Sequence, residues 1–484
     1  MTDAVLPVTY DRSRIEAGIL HFGVGNFHRS HQAMYVDQLL RNPDTFEDAR
    51  TWGICGVGVL PSDCRMRDAL RSQDYEYTLI ERHPDGQHPA TRIGSIVGFL
   101  HAPDELEAVL EKLTDPAIRI VSLTITEGGY NISDVTGEFD TEKPTIVADA
   151  QPDAVPATVF GIIVAGLRLR RERGIAPFTV MSCDNIEGNG DVARRSFAAF
   201  ARMIDSELGG WIETEVAFPN CMVDRITPVT TDEDRDWVHD QFGVEDAWPV
   251  LSEDFIQWVL EDDFALGRPA LEEVGVQLVE DVRPYELMKL RLLNASHQAL
   301  AYSGILSGYQ YAHEAAADPV IVGLLRGYMN EEATPTLGPV PGVDLAVYKE
   351  RLIERFANPY VRDTLARLAT DASDRIPKFL VPVILKCRAE GKRVPLSASV
   401  VAGWARYAER HFTNDDVPFR DRQEASVHEA VERLTDGANG FLRNRDWFGD
   451  LAEDVEFVSE YADALDAFRE SEDPRPALAR LTAQ

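Results

Sequence analysis

Lysine is scarce in this 484-residue chain. Seven residues (Lys112, Lys143, Lys289, Lys349, Lys378, Lys386 and Lys392) stand against 81 Asp and Glu. The other basic residues are arginines, and the formal net charge at pH 7 is −33. Such a surface repels polyanions, which argues against a general nucleic-acid binder and against a protein held on anionic membranes. Cysteine is rare as well. Cys55, Cys64, Cys183, Cys221 and Cys387 are odd in number and never spaced as CxxC, so no disulfide framework is expected and a reducing compartment fits. No apolar run approaches the roughly 20 residues that span a bilayer. The opening MTDAVLPVTYDRSR lacks the charged-then-apolar order of a secretion signal, and a cytoplasmic protein is expected. The 11 histidines form neither HExxH nor HxxxH, so no metal-binding motif is read and no metal is expected.

The chain is too long for one typical domain, and its 44% hydrophobic content supports two cores. In the first half, short apolar runs alternate with helical patterns. Ile19–Gly25 reads as a strand entering a glycine turn, Arg29–Leu40 as a helix, and Thr51–Val59 as a second strand, with Ser62 as N-cap of a helix through Leu70. Tyr75–Glu81 and Thr91–Leu100 read as strands flanking the turn-rich HPDGQHPA. Ile118–Thr124 and Phe178–Ser182 read as buried strands, with the amphipathic Ala157–Arg171 between them. Strands alternating with helices predict a doubly wound parallel sheet. After Arg283-Pro284 the pattern becomes mainly helical, in Tyr285–Tyr302, Ala346–Phe356, Tyr360–Ala369 and Val455–Phe468. Two domains are therefore expected, 1–283 and 284–484.

The segment Gly23-Val24-Gly25-Asn26-Phe27 joins the first strand to the first helix. Glycines there let the backbone turn tightly and approach a pyrophosphate, so these five residues form a candidate dinucleotide-binding turn. The fingerprint is incomplete, because His28 stands where GxGxxG has its third glycine. Asp63 follows the second strand. A carboxylate there accepts hydrogen bonds from ribose hydroxyls and repels a 2′-phosphate, which favours NAD over NADP, although the spacing from the glycines exceeds the usual 20 or so residues. The same carboxylate also suits the first turn of a helix.

Tyr285-Glu-Leu-Met-Lys289-Leu-Arg-Leu-Leu-Asn294-Ala-Ser-His297 carries the strongest chemical signal. At ~100° per residue, Glu286, Lys289, Asn294 and His297 fall within an arc of roughly 140° on a helix that is apolar almost all round. A buried lysine needs a partner or a task. Desolvation lowers the pKa of a lysine toward the working pH, as a general base for alcohol oxidation requires. An asparagine amide stabilises a developing alkoxide. The same residues also admit a structural reading, an internal Glu286–Lys289 ion pair with Asn294 and His297 bonding nearby loops.

Six segments, in order along the chain, together resemble the polyol-specific long-chain dehydrogenase/reductases of the mannitol 2-dehydrogenase type. They are FGVGNFHR (Phe22–Arg29), SLTITEGGY (Ser122–Tyr130), SCDNIEGNG (Ser182–Gly190), MVDRITP (Met222–Pro228), KLRLLNASH (Lys289–His297) and SDRIPKFLVP (Ser373–Pro382). The resemblance implies a metal-independent, NAD-linked enzyme acting on a small polyol or ketose. Its fold would be an N-terminal Rossmann-type domain followed by a mostly α-helical domain, and a monomer is compatible with it. Lys289 would be the catalytic base, with Asn294 and Asn185 as oxyanion hole and His297 orienting a substrate hydroxyl. Glu286 and Glu127 would serve a proton path, and Arg375 and Lys378 would lie on the substrate side. Arg225 would fix the domain interface or approach the cofactor. D-mannitol is the expected substrate. D-arabinitol dehydrogenases, fructuronate or tagaturonate reductases, and a non-catalytic NAD-binding sensor remain alternatives.

Overall fold

A computed structural model describes residues 4–133, 137–414, 417–471 and 473–482. The chain divides into two compact units at Arg283-Pro284. The first unit is built on five strands in the order β5-β2-β1-β6-β7: β1 Ala17–Phe22, β2 Gly53–Gly58, β5 Ile96–His101, β6 Ile120–Leu123 and β7 Thr179–Ser182. All neighbouring pairs in this sheet are parallel. The chain therefore builds outward from β1 through β2 to β5, then returns to lay β6 on the other side of β1. The β1/β6 junction is the point where the strand order reverses, and ligands of doubly wound sheets bind outside the carboxyl ends of the strands there.

Both faces of the sheet are covered, which is why its strands read as near-continuous apolar runs. Leu20, Phe22, Val57, Val121, Leu123 and Val180 pack with Val109, Leu113, Phe160, Ile163, Leu167 and Phe197 from the helices Ala102–Thr114, Val159–Arg173 and Asn189–Ile204. Ile19, Ile54, Ile96, Ile120 and Met181 face the other way, onto Ala33, Val36, Leu39 and Leu40 of the helix Gln32–Arg41. Two smaller sheets complete the unit. One pairs β4 (Ala90–Ile93), β3 (Tyr77–Arg82) and β9 (Val250–Glu253); the other pairs β11 (Gln277–Val279), β10 (Gln257–Glu261) and β8 (Cys221–Asp224).

Several local expectations are corrected. The apolar run 91–100 is two strands. It breaks at Gly94-Ser95, so that β4 pairs antiparallel with β3 while β5 joins the parallel sheet. The helix expected over 29–40 starts at Asn26 and is interrupted at His31 (φ −117°, ψ −93°). Ser62 is not the N-cap. A 3₁₀ turn, Pro61–Asp63, precedes the helix Cys64–Ser72, and the Asp63 carboxylate receives the Val59 and Leu60 N–H groups, each at 2.9 Å.

The second unit is helical. Its longest helix, Pro395–Asn414, is buried along most of its length and packs against Val455–Arg469. The helix expected over 360–369 shrinks to Leu365–Leu368, because Arg362 has φ +53° and Thr364 caps the short helix through the Arg367 N–H. Among the described residues, no helix is long and apolar enough to cross a membrane.

Candidate active site

Beyond β1 the backbone reverses at Gly23 (φ +92°), where a Cβ would lie 2.1 Å from the Thr124 carbonyl oxygen. Only glycine fits that close approach. The Gly25 N–H donates to the Gly23 carbonyl at 2.7 Å, and the Thr124 hydroxyl donates to the same oxygen at 2.6 Å, which pins the turn to the end of β6. Beneath it lies His21, fully buried in β1. Its Nε2 lies 2.9 Å from Thr124 Oγ1 and its Nδ1 2.8 Å from Ser122 Oγ, both within hydrogen-bond distance. His28, in the place of the fingerprint's third glycine, lays its ring on that of His21, with centroids 3.4 Å apart and planes 13° from parallel. Burial lowers the His21 pKa to about 3 and that of His28 well below its ordinary value. The pair is therefore a neutral, packed stack between strand and helix.

The outer side of the turn is open. A Cβ on Gly25 would meet no atom nearer than the Gly23 oxygen at 3.9 Å, leaving a cradle of backbone that suits a pyrophosphate. Val24 is buried, whereas the Asn26 amide donates inward, to Pro228 O and Thr230 Oγ1, both at 2.9 Å. Phe27 stacks on His31 at 4.9 Å between centroids. Asp63, half-buried beyond β2, uses Oδ2 for two backbone N–H groups, and Oδ1 is suited to a ribose hydroxyl. These residues fit a nicotinamide dinucleotide.

Two further loops leave the carboxyl ends of β6 and β7. The first carries Glu127, half-buried on the 3₁₀ turn Glu127–Tyr130, and the second carries the exposed Asn185. Asp184, 7% exposed, joins them. Its Oδ1 accepts the Thr126 N–H (2.8 Å), and its Oδ2 accepts the Ile125 N–H (3.1 Å) and the Tyr130 hydroxyl (2.8 Å). Thr126 sits at φ +65°, ψ 162°, a region essentially reserved for glycine. Burial raises the Asp184 carboxyl to about 6 against the pull of its hydrogen bonds.

In the second unit the Lys289 segment departs from the α-helix assumed above. Arg283–Met288 is α-helical, Lys289–Asn294 is a π-helix and Ala295–Leu306 is α-helical again. The Ala295 N–H reaches back five residues to the Leu290 carbonyl. In an α-helix, positions five apart diverge by ~140°. A helix closed by i→i+5 bonds has about 4.4 residues per turn, which narrows that divergence to roughly 50°. The local widening thus brings Lys289 and Asn294 to one face. Both are buried (7% and 8% exposed), as is Glu286, while His297 is half-buried against the Phe356 ring at 4.7 Å. The Tyr328 hydroxyl, fully buried, donates to the Arg291 carbonyl at 2.9 Å, and Arg291 donates to Thr336 O at 2.7 Å. Such contacts supply partners for groups that the wider turn withdraws from the helical ladder. Among the described residues, no three His, Cys, Asp or Glu side chains group as metal ligands.

Of the SDRIPKF residues, Arg375 is half-buried and donates to the Leu368 carbonyl at 2.9 Å, while Lys378 is exposed and paired with Asp374 at 2.6 Å. Arg225 is committed within the first unit, to Ser30 O, Glu253 O and the Glu81 carboxylate.

Residues 17–273 match the mannitol dehydrogenase Rossmann domain and residues 281–469 the mannitol dehydrogenase C-terminal domain. The chain belongs to the mannitol dehydrogenase family. It is 44% identical to mannitol 2-dehydrogenase of Cereibacter sphaeroides over 471 residues, covering 96% of this chain and 97% of that protein. Its fold superposes on Pseudomonas fluorescens mannitol 2-dehydrogenase, solved as a ternary complex with NAD and D-mannitol, with a TM-score of 0.89 and 43% identity. That match covers 99% of this chain and 97% of the other. A D-sorbitol dehydrogenase in substrate-free form gives a TM-score of 0.88 at 38% identity, covering 99% and 98%.

Within this mannitol dehydrogenase framework, two features escape sequence reasoning. Asp184 precedes the expected Asn185 and carries no signal of its own, since its partners come from a loop some sixty positions earlier (Ile125 and Thr126). The His21–His28 stack was foreshadowed only by the missing third glycine.

Proposed function

We propose that this chain oxidises D-mannitol to D-fructose with NAD, and catalyses the reverse reduction, with Lys289 as the general base. It is an NAD-dependent polyol dehydrogenase interconverting a sugar alcohol and a ketose. Mannitol as substrate is supported by the relative solved with NAD and D-mannitol. The observation that carries the chemistry is the π-helical turn, which puts a buried amine and a buried amide on one face.

When bound, the nicotinamide accepts hydride from the carbinol carbon. Lys289 Nζ takes the hydroxyl proton, and in reduction its ammonium returns one. Asn294 and Asn185 donate amide N–H groups to the reacting oxygen as its negative charge grows. His297 bonds a second substrate hydroxyl and orients the chain of carbons. Glu286 and Glu127 pass the proton onward, and Arg375 and Lys378 act on the substrate side. Residues 1–283 form the cofactor domain, with Gly23–Phe27 along the pyrophosphate and Asp63 at the adenosine ribose. Residues 284–484 supply the base. A net charge of −33 opposes nucleic-acid binding and loose self-association, which supports a small-molecule substrate and a monomer, and the five free cysteines support a reducing, cytoplasmic location.

The test is NADH formation from D-mannitol, D-arabinitol, D-sorbitol and D-mannonate, with Lys289→Ala alongside. Turnover of mannitol, abolished in the variant, is expected. Turnover of mannonate alone would replace the polyol reading with a uronate one.

A further inference from the structure

We propose that Asp184 is a positioning residue whose carboxylate ties the loops beyond β6 and β7 together and holds Thr126 in a glycine-like conformation, thereby presenting Glu127 and Asn185 to the substrate. The inference rests on the roles proposed for those two residues.

The tie has three strands. Asp184 accepts backbone N–H groups from two successive residues, Ile125 and Thr126, at 3.1 and 2.8 Å, and a hydroxyl from Tyr130 at 2.8 Å. Tyr130, fully buried, also lies 2.6 Å from Ser182 Oγ at the end of β7. The Asp184 carbonyl accepts from Asn189 Nδ2 at 3.0 Å, and that amide also reaches Cys221 O at 2.8 Å, so the anchoring side is itself immobilised. On the anchored side, a β-branched residue at φ +65°, ψ 162° does not hold that conformation unaided. Two adjacent N–H groups aimed at one carboxylate supply the constraint. The residue immediately after the strained one is Glu127, and the residue immediately after the carboxylate is Asn185. Loss of the tie lets residue 126 relax toward ordinary φ, which turns the peptide leading into Glu127. An asparagine at 184 cannot replace the carboxylate. Its amide oxygen accepts on one side only, and its NH₂ opposes an N–H on the other.

The experiment compares wild type, Asp184→Asn, Thr126→Gly and the double variant in polyol oxidation, with thermal unfolding of each. Asp184→Asn is expected to lower kcat by roughly tenfold or more while KM for NAD stays within about twofold. Glycine at 126 adopts the required φ without support, so the double variant is expected to recover kcat roughly fivefold relative to Asp184→Asn. A structural tie alone would lower the unfolding temperature without a kcat loss that glycine relieves. Unchanged kcat in Asp184→Asn, or a loss that Thr126→Gly leaves in place, overturns the proposal. Should Asp184→Asn not fold, Tyr130→Phe removes one donor without opening a cavity. A drop in its kcat relieved by Thr126→Gly supports the tie, and an unchanged kcat overturns it. Failure of wild type to turn over any polyol would instead sink the functional reading itself.

Discussion

The imidazole of His28 stacks on that of His21 at 3.4 Å, directly under the turn at Gly23. A glycine at this position in the common fingerprint lets helix and strand pack closely; here two rings fill the space instead. His28→Gly, which restores the common pattern, is therefore expected to cost ~2–4 kcal/mol in unfolding free energy, as for other large-to-small core changes. It should also weaken NADH binding. Urea unfolding and nicotinamide fluorescence titration check both, and tighter NADH binding at unchanged stability would contradict the packing role.

Burial of His21 has a consequence for acid stability. Its folded pKa of about 3 lies below the ordinary 6.5, so the unfolded chain takes up protons that the folded chain refuses. Its contribution to stability is present above about 6.5 and is lost as pH falls toward about 3. His21→Gln should show a shallower fall in unfolding free energy from pH 7 to pH 4 than wild type. Parallel slopes would remove His21 from the effect.

Glu332 acts in the opposite sense. It lies in a second π-helix, Tyr328–Ala333, and accepts the Leu396 and Ser397 N–H groups at 2.8 and 2.7 Å and the Ser397 hydroxyl, at the start of the helix Pro395–Asn414. Burial pushes its carboxyl up to about 7 from 4.5. Its protonated form is favoured by folding, so that stabilisation is full below about 4.5 and lost as pH rises through about 7. The difference in Tm between wild type and Glu332→Gln should shrink as pH rises from 5 to 8. A difference that does not vary with pH would show that Glu332 stays ionised.

Asn294 is buried on the same helical face as Lys289. Asn294→Ala should lower kcat by about a hundredfold or more, with KM for NAD little changed, as for loss of one oxyanion donor. Steady-state kinetics at saturating NAD decide it, and a loss confined to KM for the polyol would make Asn294 a binding group only.

Asp63 carries two tasks. Asp63→Ser removes the charge that opposes a 2′-phosphate, so kcat/KM for NADP should rise relative to NAD. Loss of the bonds to Val59 and Leu60 should cost ~0.5–2 kcal/mol in stability. An unaltered NAD to NADP ratio would leave Asp63 as a cap alone.

Periodicity made the parallel sheet legible because strands buried on both faces read as unbroken apolar runs, as in Ile19–Phe22 and Ile120–Leu123. It misjudged 91–100, where Gly94-Ser95 divides one apolar run between two sheets, because strand pairing is not a local property. It also missed the cap at Asp63, whose bonds run backward to the end of β2.

The sequence by itself determined the family, the glycine turn, and the kinds of residue offered for chemistry: an amine, two amides, an imidazole and their neighbouring carboxylates. These follow from residue identity and order, which survive in any conformation. Tertiary structure decided their presentation. Whether Lys289 and Asn294 share a face depends on one extra residue in a helical turn, and that turn persists because partners such as Tyr328 bond its carbonyls. Whether Thr126 holds its strained backbone depends on a carboxylate brought to it by the pairing of β6 with β7. Both are small local costs that a sequence cannot reveal, since the groups that offset them lie far along the chain.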